Sequence, residues 1–294
     1  GRVEKLASHR NMDITIVDFD IRGNIYYVGR NESGSYIFKI FPTKERGELL
    51  YSTDESIEDM DVDCFGDVYF SQQPSRLQPP SKLMLIPRKK REAVCILRMD
   101  DSLSIHGLQV HPIPSLGIYF VSVREDGVYL YRYLQDGLVV VLKKPPLNAN
   151  ASFIGYTTIS GIPGDLYYLY RQRSQPNEER QWGYLEIGKF TVRDIVENRG
   201  PTILLSEDTD RAVYLWYPGK SFFGVSLAGD VYFTIIFYDG ETWEVALCRL
   251  SSRAGEYEVL VSSTQLGEYL SFVVDLRGNV YYAKSISGVI ARIP

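Results

Sequence analysis

The sequence predicts an all-β fold: a six-bladed β-propeller of four-stranded antiparallel blades, built as a single domain over residues 1–294. Three observations carry that expectation. A glycine followed by a β-prone residue and aromatics recurs six times, as Gly23-Asn24-Ile25-Tyr26-Tyr27, Gly66-Asp67-Val68-Tyr69-Phe70, Gly117-Ile118-Tyr119-Phe120, Gly164-Asp165-Leu166-Tyr167-Tyr168, Gly229-Asp230-Val231-Tyr232-Phe233 and Gly278-Asn279-Val280-Tyr281-Tyr282. Successive glycines lie 43 to 65 residues apart, the period of a four-stranded blade with loops of variable length. The segments around them are short, β-rich and bounded by Gly, Pro, Asn, Asp or Ser, as strands are.

Aligned on the glycine, each blade has an inner strand before it, a second strand through the aromatics, and two outer strands. The first blade reads Ile14 to Asp20, Asn24 to Arg30, Ser35 to Phe41 and Glu48 to Tyr51. The second runs from Ile57 to Met99, the third from Ile105 to Leu142, and the fourth from Phe153 to Ser206 with an excursion at Thr191 to Gly200. The fifth spans Lys220 to Ser262, and the sixth offers only three strands, at Tyr269 to Asp275, Asn279 to Lys284 and Gly288 to Ile293. Val3-Glu4-Lys5-Leu6-Ala7-Ser8 matches the outer strands elsewhere, so the N-terminal segment is expected to complete the last blade, close the ring and remove an exposed edge.

Within each repeat the residue types have mechanical reasons. Asp20, Asp63 and Asp275 stand three residues before the glycine, where a carboxylate caps the N–H groups of a tight turn and glycine supplies positive φ. The aromatic pairs alternate across their strand and are expected to pack between neighbouring blades.

Asp275-Leu276-Arg277-Gly278-Asn279-Val280-Tyr281-Tyr282 with Ile290-Ala291-Arg292-Ile293, and Asp20-Ile21-Arg22-Gly23-Asn24-Ile25-Tyr26-Tyr27 with Ile37-Phe38-Lys39-Ile40, resemble the NHL-type repeat. The resemblance runs over essentially the whole chain, although the third and fourth blades carry Pro114 and Gly161 where the Asp is expected. It implies a fold and no chemistry, because relatives of this six-bladed class include protein- and RNA-binding modules as well as metal-dependent lactonases and lyases. The lactonase-like acidic motif is missing from the first blade, which begins Asn11-Met12-Asp13-Ile14-Thr15, so no catalytic residue is carried over.

Bulk properties narrow the class further. With 45% hydrophobic and 13% aromatic residues the chain is expected to bury a substantial core as a soluble globular protein, and its apolar runs are strand-sized, too short for a transmembrane segment. The first residues hold neither a Met start nor a signal-peptide core and read as a processed or trimmed product. Cys64, Cys95 and Cys248 show no metal-ligand spacing and no disulfide framework. No compartment is marked, and the sequons Asn31-Glu32-Ser33 and Asn150-Ala151-Ser152 tilt the balance slightly towards a secreted or cell-surface protein.

Chemistry-bearing residues are few. His106 and His111 are separated by an odd number of residues and on a regular strand face opposite sides. No phosphate loop, nucleophile elbow or zincin motif appears. Asp18 and Asp20, with Asp59, Asp61 and Asp63, are same-face carboxylates of the first two inner strands. Asp18, Asp20, Asp61 and Asp63 are therefore candidate ligands for Ca2+ or another divalent cation at the channel mouth, though turn caps or solvated acids lining a water-filled channel account for them more simply because no fixed ligand spacing exists, and no cofactor is required.

Charge and loop length favour a binding role. The connections from outer to inner strands hold Asp54, Glu55, Asp100, Asp101 and Asp208, an acidic face, whereas Arg88-Lys89-Lys90-Arg91, Arg22 and Arg193 fall on the opposite one. The long connection from Glu207 to Lys220 carries Tyr214, Trp216 and Tyr217, candidate anchors for a partner. The expected function is a non-catalytic binding or assembly module that takes a protein or small-molecule ligand on the acidic loop face, with face-to-face self-association as a further option. The alternative is a metal-dependent hydrolase or lyase at the channel mouth. A formal net charge of −5 opposes nucleic-acid binding.

Overall fold

The computed structural model describes residues 12–41, 47–75, 78–102, 104–111, 114–124, 126–144, 153–158, 165–173, 183–209, 212–214, 223–226, 228–238, 242–251, 256–263, 270–274, 280–284 and 289–293. The chain divides into two compact units, Gly1–Glu125 with Tyr129–Val140, and Asp126–Val128 with Val141–Pro294. Among the described residues the fold is all-β apart from one short α-helix and one 3-10 turn, and every sheet is antiparallel and open. No described helix is long and apolar enough to cross a membrane.

The first unit begins with a sheet of β1 (Asp13–Phe19), β2 (Ile25–Asn31), β3 (Gly34–Ile40) and β4 (Glu48–Thr53). A second sheet follows, of β5 (Ser56–Val62), β6 (Val68–Gln73), β7 (Ser81–Ile86) and β8 (Val94–Met99). The third comprises β9 (Ser104–Val110), β10 (Ile118–Arg124), β11 (Gly127–Leu134) and β12 (Gly137–Lys144). In the second unit the fourth sheet is β13 (Phe153–Thr158), β14 (Leu166–Arg173), β15 (Gly183–Phe190) and β16 (Thr202–Thr209). The fifth has β17 (Ala212–Tyr214), β18 (Phe223–Val225), β19 (Val231–Tyr238), β20 (Trp243–Leu250) and β21 (Tyr257–Ser263). The sixth has β22 (Leu270–Val274), β23 (Val280–Lys284) and β24 (Val289–Ile293). Each sheet pairs strands that follow one another in the chain, as the repeat predicts, except that in the fifth both β17 and β18 pair with β19. The N-terminal segment expected to complete the last blade lies outside the described residues.

The aromatic repeat builds the core. Tyr26 and Phe70 pack with Val28, Ile57 and Met60 between the first two sheets, and Phe120 with Leu83 and Tyr131 between the next two. In the second unit the pair Tyr232-Phe233 divides as alternation requires: Phe233 joins Tyr167 and Ile187 on one side, and Tyr232 joins Phe272 and Val280 on the other. Each such side chain contributes about 1.5–3 kcal/mol on burial.

Two departures from a plain two-residue period recur. Leu50, Ile96, Leu204 and Leu260 are each an extra residue in an outer strand, where the register slips by one against β3, β7, β15 and β20. The bulged residue turns onto the core while Leu49, Ile203 and Val259 stay exposed. Inner strands slip as well, between Ile14 and Ile16 and between Ile57 and Asp59.

The excursion after β15 contains α1 (Val192–Val196), which the sequence pattern did not foretell. Thr191 caps it: the Asp194 N–H donates to Thr191 Oγ1 at 3.1 Å, and the Thr191 N–H donates to Asp194 Oδ2 at 2.9 Å.

The turns at Asp20 and Asp63 match expectation, and the third expected turn, at Asp275, lies outside the described residues. The Asp20 N–H donates to the Asn24 carbonyl and the Gly23 N–H to the Asp20 carbonyl, and Asp63 to Asp67 repeats the pattern. Gly23 and Gly66 take φ values of +75° and +94°. In the fifth sheet Ser226 stands in for the aspartate, its Oγ accepting the Asp230 N–H at 3.2 Å.

Candidate functional site

The third sheet breaks the turn pattern, and a cleft opens beside the break. The turn from β9 to β10 closes from the His111 N–H to the Gly117 carbonyl, two residues more than the equivalent closure at Asp20, and holds a 3-10 turn at Pro114–Leu116. A cleft of about 660 Å3 lies at this end of the first unit, between the second and third sheets. Tyr69, Leu85 and Ile96 form one wall, and Val110, Ile118 and Tyr133 the other. The Tyr133 hydroxyl donates to the Ile96 carbonyl at 3.0 Å and ties the two walls together.

Polar groups gather at the rim: Asp63, Cys64, His111, Gln135 and Asp136. Asp63 Oδ1 accepts the N–H groups of Phe65 at 2.9 Å and Asp67 at 2.8 Å. Burial nevertheless holds its carboxyl above the usual carboxylate range, and the Asp67 charge adds to the shift. Burial, with the Asp63 and Asp67 charges behind it, pushes the Tyr69 hydroxyl up to about 12. Burial first and Asp63 second push the Cys64 thiol up, so Cys64 is held as a neutral thiol rather than an activated nucleophile. His111 is buried, with its ring 6.2 Å from that of Tyr119. Apolar walls with a few rim hydrogen-bonding groups suit recognition of a small ligand.

The candidate metal ligands are engaged in structural work. Asp20 Oδ1 accepts the N–H groups of Arg22 and Asn24 at 2.9 and 3.0 Å, while Oδ2 accepts Asn24 Nδ2 at 2.7 Å and the Tyr26 hydroxyl at 3.1 Å. Burial is the largest single influence on this carboxyl and pushes it up, but the four donors outweigh it and hold Asp20 below its usual value. Asp18 Oδ2 accepts the Val62 N–H at 2.8 Å, and Asp59 Oδ2 accepts the Leu108 N–H at 2.7 Å. Asp61 Oδ2 accepts the Val110 N–H together with Gln109 Nε2. Inner-strand carboxylates thus reach across to backbone donors of the next inner strand. Among the described residues no group of three or more His, Cys, Asp or Glu is placed to hold a metal ion.

The loop acids are less free than their count suggests. Asp54 and Glu55 form the tight turn between β4 and β5, where Glu55 accepts Lys82 Nζ at 2.8 Å and Gln72 Nε2 at 2.6 Å. Asp100 and Asp101, between β8 and β9, pair with Arg98 Nε at 2.7 Å and with the Arg124 guanidinium. The basic partners come from strand ends, which counting loop residues overlooks. Two expectations need correction. Asp208 belongs to β16 opposite Tyr184, and Tyr214 to β17 opposite Ile236, so neither sits in a connecting loop. The cause is that β16 runs on to Thr209 and the inner edge of the fifth sheet is shared by two short strands, both paired with β19. Trp216 and Tyr217 lie outside the described residues.

The cleft walls were not singled out by the repeat, because Leu85, Ile96 and Ile118 read as ordinary strand residues. The signal available was the longer turn between His111 and Gly117.

Comparison with family models gives no match, nor does comparison with curated protein sequences. Solved structures do match in shape. An oligogalacturonate lyase in complex with manganese aligns at a TM-score of 0.64 and 9% identity, over 98% of this chain and 77% of that one. A Mycobacterium tuberculosis puromycin-hydrolyzing peptidase aligns at 0.59 and 7% identity, over 93% of this chain and 44% of its own. TolB from Acinetobacter baumannii aligns at 0.51 and 14% identity, over 84% of this chain and 56% of its own. The chain therefore spans little more than half of TolB and less than half of the peptidase. At these identities the likeness speaks for fold alone, and together with the consecutive antiparallel sheets it defines the protein as a β-propeller.

Proposed function

We propose that this chain is a non-catalytic binding module of the NHL-like, six-bladed kind, and that it takes a small, largely apolar ligand in the cleft between its second and third sheets. The observation that carries the reading is the cleft itself: about 660 Å3, within the size range of ligand sites, with Tyr69, Ile96, Ile118 and Tyr133 as walls and hydrogen-bonding groups confined to the rim. The cleft is preferred to the acidic loop face because Glu55, Asp100 and Asp101 are already paired with Lys82, Arg98 and Arg124. Against a metal-dependent hydrolase or lyase stands the use of Asp18, Asp20, Asp61 and Asp63 as acceptors of backbone N–H groups, with no three His, Cys, Asp or Glu among the described residues placed together to hold a metal ion.

The test is a fragment screen by ligand-observed NMR against the wild type and a Ser115→Trp variant. Ser115 is exposed at the cleft mouth, so an indole there obstructs entry without entering the core. Fragments that bind the wild type and are lost in the variant support the reading. Fragments that bind both equally, or none at all, overturn it. Ring closure by residues 3–8 is part of the same proposal, and a truncation lacking residues 1–8 is expected to melt well below the full chain.

A further inference from the structure

A second, smaller cavity lies at the same end of the first unit, between its first and second sheets. Its volume is about 140 Å3, room for about four or five waters, or one tetrahedral oxyanion with part of its hydration. Five cations line it, Lys39, Arg88, Lys89, Lys90 and Arg91, against the single carboxylate of Glu48.

The pairing of these charges is uneven. Arg91 is bound to Glu48. Lys39 Nζ lies 4.8 Å from the Tyr26 ring centroid and 4.9 Å from that of Phe41, with no described carboxylate within ion-pair distance. Burial lowers its affinity for a proton and the Arg22 charge adds to this, against the partial opposition of the Asp20 and Glu48 charges. Arg88 lies over the Phe65 ring at 5.9 Å, while Lys89 and Lys90 are exposed and form no ion pair with a described residue. The neighbouring acids do not compensate. Asp20 is turned to its own four donors, and Asp67 Oδ1 accepts the Arg88 N–H at 2.6 Å.

Gly66 gives the cavity a backbone wall. It lines the cavity, and a Cβ there would come 2.9 Å from the Tyr26 hydroxyl, so glycine lets the second sheet's turn close directly on the first sheet. Lys39, half-buried on β3, lines the cavity as well, and the β7 to β8 turn supplies Arg88, Lys89 and Lys90. A multiply charged anion at the centre would meet donors from two sheets at once, the half-buried Lys39 from the first and the exposed Arg88, Lys89 and Lys90 from the second.

We infer that this cavity binds a small tetrahedral oxyanion, a phosphate or sulfate group either free or carried on a small molecule. The site is independent of the apolar cleft and stands or falls separately. Isothermal titration with inorganic phosphate, and in parallel with sulfate, at an ionic strength fixed with sodium chloride, tests it. The expected result is saturable binding of at least one oxyanion at millimolar or lower concentration. It should weaken at least tenfold in a Lys89→Glu/Lys90→Glu variant, whose exposed changes leave the fold intact, and again in Lys39→Met. Phosphate alone or sulfate alone giving this pattern supports the site and identifies the preferred group. No oxyanion-specific heat in the wild type, unchanged affinity in the Lys89→Glu/Lys90→Glu variant, or binding of heparin or RNA without binding of either free oxyanion overturns it.

Discussion

The Asp18 carboxylate accepts the backbone N–H of Val62 at 2.8 Å, joining the inner strand of the first sheet to that of the second. Asp59 and Asp61 repeat the contact one sheet further on, at Leu108 and Val110. Inner strands carry a hydrogen-bonding edge, and a carboxylate from the neighbour covers part of it without requiring the two strands to run as a continuous ladder. Removing such a clamp strands a donor. Asp61→Ala is expected to cost about 1–3 kcal/mol in urea unfolding, and Asp61→Asn less, because an amide oxygen still accepts. A wild-type midpoint for Asp61→Ala would refute the clamp.

Asp20 and Asp63 occupy equivalent places in the repeat yet have opposite proton affinities. Burial pushes both up, but Asp20 has four donors, two of them side chains, and ends below its ordinary 3.8, whereas Asp63 ends above it. A lowered folded value adds stability that is complete above the unfolded value and is lost as pH falls through the folded one. A raised value does the reverse: its contribution is complete below the unfolded value and disappears as pH rises through the folded one. At pH 7 Asp20→Asn should therefore cost about 1–3 kcal/mol, a deficit that shrinks below about pH 4. Asp63→Asn should be nearly neutral at pH 7 and fall behind the wild type as acid is added. Urea unfolding at several pH values checks both, and parallel pH dependence in the two variants would contradict the assignment.

The contrast also shows how far residues alone could be read. The spacing of glycines and aromatics located the sheets, because turn and core positions each demand a narrow set of side chains. Asp20, Asp63 and their turns were legible for the same reason. The bulges at Leu50, Ile96, Leu204 and Leu260 were not, since an extra residue alters register without altering composition. One of them also shapes the cleft: Ile96 is both a bulge and part of its wall. A slip in β9 likewise breaks the parity argument for His106 and His111, because the register jumps between the pairs Tyr119–Gln109 and Val121–His106. The charge pairs of Lys82, Arg98 and Arg124 depend on which strand ends meet, which only the fold decides.

Gly66 is held to glycine by two independent constraints. Its φ is +94°, and an added Cβ would approach Tyr26 Oη to 2.9 Å and Asp20 Oδ2 to 3.1 Å. Gly66→Ala should destabilise by about 1–3 kcal/mol through strain at this position. Gly200, where an added Cβ would meet nothing within 4 Å and φ is not positive, is the control: Gly200→Ala should stay within about 0.5 kcal/mol of the wild type. Thermal melting of the two variants side by side checks the pair, and equal melting temperatures would dismiss the close approach.

Three thiols in three environments give a direct readout of the cleft. Cys95 is exposed on β8, Cys64 is half-buried at the cleft rim, and Cys248 is buried in the core of the fifth sheet. Only the thiolate reacts, and burial pushes the Cys64 and Cys248 thiols up, with the Asp63 charge assisting at Cys64. A disulfide reagent at pH 8 should therefore modify Cys95 first, Cys64 several-fold more slowly, and Cys248 only when the protein unfolds. Asp63→Asn removes the nearby negative charge and should speed Cys64 while leaving Cys95 unchanged. A fragment bound in the cleft should instead slow Cys64 and again spare Cys95. Mass spectrometry of quenched time points separates the sites. Modification of Cys64 at a rate indifferent to both the substitution and the fragment would mean that Asp63 and Cys64 do not share the cleft rim.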